Sequence, residues 1–399
     1  MNPAIVIVAF DRPHSLSRLL HSLKHAYFSE KDSDANIPLV ISIDQGGDKT
    51  VFDIAQSFEW KYGEKRIINH GQRMGLKNHI LSCGELVNEF GSIIMLEDDL
   101  FLSPTFYDFA AKALEFTSKD PRIGGISLYA HKFNVFARLP FEPIDDGYDN
   151  WYFQFASSWG QAWTANQWNG FAEWQNEHDG EDLSGNGLPN DIAAWKESSW
   201  LKYAIKYLIE TDKYFLYPRI SYTTNFADAG THSARALSEL QIPLSHGAFN
   251  HPERINSGRP LYFSSLDDSG SVYDAYFENS LLPYEMDLYG IKSRDLLLAQ
   301  GLETLKPGSK LPHGSKLVSS ASLPFEIVRE YGLSLKPIDQ NVAFKLRGQG
   351  LRLYDLNRKA PIKRTKEGAF YSFFYPGLNQ SKISAIVKDK ISDKFNILK

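Results

Sequence analysis

Ser92-Ile93-Ile94-Met95-Leu96-Glu97-Asp98-Asp99-Leu100 carries an apolar run of strand length straight into three carboxylates. Carboxylates at the end of a buried strand are costly unless a cation meets them. A divalent metal on a diphosphate would do so, because Mg²⁺ typically sits between one or two carboxylates and substrate phosphates. The carboxyl ends of strands are also where open α/β sheets bind ligands. Alone, a Glu-Asp-Asp triplet is most often a solvated turn. Its place after a β-type run and before Phe101-Leu102-Ser103-Pro104 points to metal–nucleotide chemistry.

Working outward, strand and helix patterns alternate. Ala4 to Phe10 is a continuous apolar run, as in a strand covered on both faces. Asp11 suits a helix cap and Pro13 a first helical turn. Leu16, Leu19, Leu20 and Leu23 then mark one helix face. Pro38 to Asp44 is a second strand, and Val51, Ile54 and Phe58 mark the next helix. Arg66 to Asn69 is a short strand, and Leu76 to Phe90 predicts one helix ahead of the acidic strand. Ser103 can cap a helix through Phe106, Phe109, Ala113 and Phe116, and Ile123 to Tyr129 is a fifth strand. This rhythm predicts an α/β fold, with a mostly parallel sheet between helices.

The chain has 399 residues, 43% hydrophobic and 23% charged, with a net charge of −5. Such a composition suits a globular core and carries no global nucleic-acid footprint. The single cysteine, Cys83, sits among Ile80, Leu81 and Leu86 and reads as helix packing. One cysteine permits no intrachain disulfide, so a reducing compartment is expected. No apolar run reaches membrane-spanning length, and the amino terminus reads as a strand rather than a signal peptide.

No Gly-x-Gly-x-x-Gly or Walker-type loop appears, so phosphate charge must be met in another way. Asp11-Arg12, Asp44 and the triplet would converge on one sheet edge. There Arg12 could hold a phosphate or ribose and Asp44 could accept from a base N–H. Equally, Asp44 can be no more than a turn residue. Taken together, Ile7-Val8-Ala9-Phe10-Asp11-Arg12-Pro13, Asn69-His70-Gly71-Gln72-Arg73-Met74-Gly75-Leu76 and Leu96-Glu97-Asp98-Asp99-Leu100 resemble the amino-terminal half of a GT-A fold (Rossmann-like) glycosyltransferase. The nearest groups are the bacterial family 2-like transferases and the N-acetylglucosaminyltransferase I group. Ser157-Ser158-Trp159-Gly160 resembles the family's acceptor-side motif. Tyr217 to Ser221, Asn225-Phe226 and Gly230-Thr231-His232 resemble its late strand and closing loop. The match covers about residues 4 to 235.

That resemblance implies inverting transfer from a nucleotide-diphosphate sugar, with Mn²⁺ or Mg²⁺ on Asp99, the last acid of the triplet. It puts Arg12 and Asp44 where the nucleotide is held, and Arg73 and Asp98 are further candidates there. His232, after the strand-like run Ile220 to Phe226, could join the metal or the diphosphate once the loop closes, or be no more than a hydrogen-bonding surface residue. The chain departs from the pattern after Gly160, where Gln161-Ala162-Trp163 follows. It departs again at the general base, whose candidates are spread over Asn190-Asp191-Ile192-Ala193-Ala194-Trp195 and Glu197-Ser198-Ser199-Trp200. Asp191 is the first candidate, Glu197 the second and Asp182 a third. Seven of the eight tryptophans lie between Trp151 and Trp200. Large aromatics mostly fill core, which leaves Trp159, Trp163 and Trp195 as candidate acceptor-binding residues.

The expected organisation is a nucleotide-sugar-binding half over 1–130, an acceptor half over 131–240 and an extension over 241–399. The extension is expected to be helical in part. Its basic end, in which Ile383, Ile386, Val387, Ile391 and Leu398 can share a helix face, suits an anionic membrane surface or packing on the protein. The expected function is metal-dependent inverting glycosyl transfer to a glycan or glycolipid acceptor, in bacterial surface polysaccharide synthesis. The location would be cytoplasmic, with peripheral contact to the inner face of the membrane and no nucleic-acid partner. A sugar-phosphate nucleotidyltransferase, or a glycan-binding protein without catalysis, are the alternatives.

Overall fold

The computed structural model describes residues 1–28, 36–226, 240–246, 260–300, 316–364, 367–377, 379 and 381–384. It divides into two compact units, residues 1–134 with 141–281, and residues 135–140 with 282–399.

In the first unit β1 (Ala4–Ala9), α1 (Pro13–Lys24), β2 (Leu39–Ile43), α2 (Thr50–Ser57), β3 (Lys65–Asn69), α3 (Gly75–Gly84), α4 (Val87–Phe90) and β4 (Ser92–Glu97) follow the expected rhythm. Next come β5 (Leu100–Leu102), α5 (Phe106–Thr117), β6 (Ile123–Ser127) and β7 (Phe133–Asn134), while β8 (Leu139–Pro140) falls in the second unit. The first unit continues with β9 (Asn150–Phe153), β10 (Gln161–Thr164), α6 (Ala165–Glu177), α7 (Asn190–Ala193), α8 (Trp200–Glu210), β11 (Tyr214–Pro218), β12 (Thr223–Asn225) and β13 (Val272–Tyr273).

Nine strands form one sheet in the order β13-β9-β11-β6-β10-β4-β1-β2-β3. β4, β1, β2 and β3 are parallel neighbours, as are β6 and β11, while β10 runs antiparallel between β4 and β6. The fold is thus α/β with a mostly parallel sheet between helices, as the alternation of apolar runs predicts.

Strand residues of one parity, Ile5, Ile7, Leu39, Ile41, Ile94 and Leu96, share a core with Leu16, Leu19, Leu20 and Leu23 of α1, Val51 and Ala55 of α2, and Phe106, Phe109 and Ala113 of α5. The other parity meets α3, α6 and α8, which pack on one another. β1 and β2 are buried at every position because both faces are covered.

Three local expectations are corrected. Residues 76–90 form two helices, with a break at Glu85–Leu86. Beside it, a Cβ on Gly84 would come within 1.8 Å of the Trp168 ring, so the indole lies directly on the backbone there. α1 begins at Pro13 with Arg12 in the N-cap position and no side-chain cap, so Asp11 does not cap it. Residues 260–281, grouped with the extension from the sequence, lie in the first unit and give its sheet β13, which pairs with β9.

The second unit contains β14 (Glu285–Asp287), α9 (Ile291–Gln300), β15 (Lys316–Ser319), β16 (Phe325–Tyr331), α10 (Gln340–Ala343), β17 (Leu351–Lys359) and α11 (Glu367–Phe374). A four-stranded sheet, in the order β14-β15-β17-β16, stands beside the helices expected of this region, of which α9 covers Ile291–Gln300. The cause is visible in Phe325-Glu326-Ile327 and Leu351-Arg352-Leu353, which alternate with the period of a strand.

Candidate active site

Parallel pairing brings the carboxyl ends of β1, β2 and β4 to one rim, with Arg12, Asp44 and Glu97-Asp98-Asp99 along it. Arg12 Nη1 donates to Asp99 Oδ2 at 2.9 Å, and Arg12 Nη2 donates to Asp98 Oδ1. The cation facing the buried acids is therefore Arg12. A phosphate or ribose at Arg12 would share a guanidinium already engaged by the triplet. Burial pulls Arg12 down, but the charges of Asp98 and Asp99 outweigh it and hold the group above its ordinary range. Burial pushes Asp98 up to about 7 despite Arg12, with Asp99 adding to the rise. Glu97 is also raised well above its usual range, first by burial and then by Asp99. One guanidinium thus serves three crowded carboxyl groups, two of them pushed up by burial.

Asp99 has one oxygen on Arg12, while Oδ1 is buried with no hydrogen-bond partner. Leaving such an atom unmatched costs about 1–3 kcal/mol or more, and a cation is one partner it could take. No group of three or more His, Cys, Asp or Glu suited to a metal occurs among the described residues. A single protein carboxylate fits a hard cation whose other ligands are diphosphate oxygens and water.

Asp44, 4% exposed, is occupied in a way the sequence did not show. It accepts from the backbone N–H groups of Gln45 at 2.8 Å, Met74 at 2.7 Å and Gly75 at 3.0 Å. Arg73 Nε lies 3.1 Å from its Oδ2. The positive φ of Gly75, +75°, opens α3 with its N–H turned to this carboxylate. Burial would raise Asp44, but the three N–H donors prevail and its carboxyl lies below the ordinary value. A base N–H would therefore compete with contacts already made. The Arg73 guanidinium lies 3.4 Å from the Phe10 ring centroid, so Asp44 and Phe10 fix it at the rim.

A depressed folded pKa stabilises above the unfolded value and is lost as pH falls through the folded one. Asp44→Asn is thus expected to lower the urea midpoint at pH 7 and to narrow the gap to wild type below about pH 4. An equal gap at both pH values would contradict this role.

Beneath Asp44 lie two histidines the sequence did not single out. Ser42 Oγ meets His79 Nε2 at 2.8 Å and His70 Nε2 at 3.0 Å. Burial, with His70 and Arg73 adding, pulls His79 down to about 4 against the charge of Asp44, so the ring is neutral at pH 7. His79 is one turn into α3, on the face that also buries Ile80 and Cys83, and nothing in its spacing distinguishes it from a core residue.

The acceptor-side candidates separate. Trp163 is fully buried, donating to Gln161 Oε1 at 2.8 Å and packing against Trp168 and Phe215 at 5.1 and 5.0 Å. It is core and cannot touch a ligand. Trp159 is partly buried against Tyr129 and His131, at 4.7 and 5.6 Å between ring centroids, and its carbonyl accepts from Thr223 Oγ1 at 2.5 Å. Trp195 is also partly buried, and its carbonyl accepts from Lys202 Nζ at 3.3 Å.

Residues 178–199 are joined to the first turn of α3 by the 2.5 Å pair between Lys77 and Asp179. This brings Asp179 to the turn of α3 that begins at Gly75. Asp191 is exposed in the first turn of α7. Glu197 accepts from Lys202 Nζ at 2.6 Å and from Tyr203 Oη at 2.8 Å, contacts that hold its carboxyl below the ordinary range. Lys202 itself is 3% exposed, so Glu197 serves as the counter-charge of a buried lysine. Asp182 is tied to the N–H and hydroxyl of Ser184, both at 3.0 Å.

β12 pairs with β5, and Phe226 N donates to the Asp99 carbonyl at 3.1 Å. Phe226 thus lies beside the acidic triplet, and His232 lies outside the described residues.

No family model and no curated protein matches the chain. Among solved structures it is similar to S. aureus TarS 1-349, with 11% identity and a TM-score of 0.34 over 55% of this chain and 59% of that one. For the same protein in complex with UDP-GlcNAc the TM-score is 0.36 at 11% identity, over 59% of this chain and 61% of that one. The mannosyltransferase PcManGT from Pyrobaculum calidifontis, in complex with GDP-Man and Mn²⁺, gives 0.33 at 10% identity, over 55% and 58%. The chain thus spans less than two thirds of each of these chains.

Proposed function

We propose that this chain is a metal-dependent glycosyltransferase that moves a sugar, with inversion, from a nucleotide-diphosphate sugar to a glycan or glycolipid hydroxyl. The observation that carries the reading is the buried, unpartnered Asp99 Oδ1 at the end of β4, in a triplet only partly neutralised by Arg12. Asp99 would hold Mn²⁺ or Mg²⁺, which when bound would stabilise the negative charge of the departing diphosphate. Arg12 acts here as a positioning residue that fixes the Asp98 and Asp99 side chains. Asp44 and Arg73 shape the end of the rim nearest β2 and Phe10, where the nucleotide would lie. Trp159 faces the acceptor side, and a carboxylate there takes the proton of the attacking hydroxyl as it bonds to the anomeric carbon. A role in bacterial surface polysaccharide synthesis, in the cytoplasm, belongs to the same reading. A protein that merely binds glycans would have no use for the acidic triplet.

The test is thermal unfolding of the full chain with UDP- and GDP-sugars, each with and without Mn²⁺. Ligands that bind only the folded state raise apparent stability by mass action. A rise is expected only where the correct donor and metal are present together. No shift with any pair would overturn the proposal.

A further inference from the structure

We propose that the second unit carries a docking surface for an anionic lipid bilayer, built from α11 and the basic stretches on either side of it. α11 reads Glu-Gly-Ala-Phe-Tyr-Ser-Phe-Phe, with four aromatic residues among eight. Two of them face their own unit, since Phe374 stacks on Tyr289 at 6.0 Å and Phe373 lies 5.5 Å from Lys336 Nζ. Tyr371 does not, and is 56% exposed. Ile362 before the helix and Ile383 after it are exposed to 50% and 49%. Three large apolar side chains are thus left in water around one short helix.

The charge around them is mostly positive, although Glu367 opens α11 and Arg358 is paired with Glu326 at 3.2 Å and Asp355 at 3.7 Å. Arg358, Lys359, Lys363 and Arg364 precede the helix and Lys382 follows it, within a chain of net charge −5. Lys363 and Arg364 are exposed, and their side chains make no hydrogen bond or ion pair among the described residues. A lipid headgroup layer satisfies both kinds of group. It takes aromatic and aliphatic side chains at the acyl boundary and pairs with cations at its anionic surface. A single-stranded nucleic acid would use the cations and Tyr371, but it gives no burial to Ile362 and Ile383. The lipid surface is therefore the better fit.

The test is co-sedimentation of the full chain with phosphatidylcholine vesicles, with and without phosphatidylglycerol, in the absence of any nucleotide. Its outcome is thus independent of transferase activity. Pelleting is expected only with the anionic lipid. Lys363→Gln with Arg364→Gln should lower the partition coefficient about 30-fold, at roughly one factor of five per cation. Ile362→Ser with Tyr371→Ser should lower it about tenfold. All four positions are exposed, so the Tm should not move. The proposal is overturned by absence of pelleting, by pelleting that neither pair alters, or by competition from polyuridylate that strips the chain from vesicles.

Discussion

Asp99→Asn is expected to abolish the metal-dependent part of donor binding and to leave the chain folded. The substitution removes a charge and almost no volume. Its amide oxygen can still accept from Arg12 Nη1, now 2.9 Å from Asp99 Oδ2. The oxygen that loses most is Oδ1, which is buried and has no partner to give up. Relieving one of three crowded carboxyl groups should not lower the Tm, since burial, and then the charge of Asp99 itself, pushes the carboxyls of Asp98 and Glu97 up. Turnover should fall by about 10²–10³-fold, as for loss of one electrostatic stabiliser. In wild type, donor at one hundred times its Kd should add about 2.7 kcal/mol of stability with Mn²⁺, and in the variant this increment should vanish. A variant with the same Mn²⁺ dependence as wild type would remove the metal from Asp99.

Asp191→Asn should lower kcat by about 10²–10⁴-fold, the range for loss of a general base, with little change in donor KM. Asp191 is exposed in the first turn of α7, in the part of the chain proposed to meet the acceptor. Asparagine is as good a residue as aspartate at a helix start, so a merely structural Asp191 would leave kcat intact. Glu197 offers the contrast. It is already pinned by Lys202 and Tyr203, and its charge balances an ammonium group with little access to water. Glu197→Gln should therefore lower the Tm, through the unpaired Lys202 charge, more than it lowers kcat in the folded fraction. Near-normal turnover of Asp191→Asn beside a folded but inactive Glu197→Gln would move the base to Glu197.

The parallel strands were legible because both faces are covered. Ala4 to Ala9 is an unbroken apolar run and Leu39 to Ile43 is interrupted only by Ser42, as strands covered on both faces read. β10 was not legible. Gln161-Ala162-Trp163-Thr164 is four residues long, starts and ends in polar residues, and owes its place to pairing with β4 on one side and β6 on the other. The acidic triplet was legible as a site because charge after a buried strand demands a cation. Which cation was not, since Arg12 lies 86 residues from Asp98 and spacing does not report contact at that range. Tryptophan is equally ambiguous. Trp159 and Trp163 differ in role through what covers them, and indole suits a core and a sugar platform alike. The second unit's strands carried a period-two signal in Phe325 to Tyr331 that scattered polar residues and prolines obscured.

The position of β10 also governs the order in which the chain can assemble. β1 to β4 pair as soon as they exist, but β6 has no neighbour among them, because its partners are β10 and β11. Until residues 161–164 have been made, β4 presents a bare, apolar edge and β6 has nothing to join. Such an edge is a template for aggregation, and non-local closure of this kind is slow. A fragment ending at residue 130 would keep the entire acidic triplet and yet be expected to aggregate, whereas one ending after β13 should remain monomeric in size-exclusion chromatography. Residues 1–130, which hold the acidic triplet, are thus not a folding unit by themselves, and a ribosome must deliver residues 161–164 and β11 before β4 and β6 share a finished sheet.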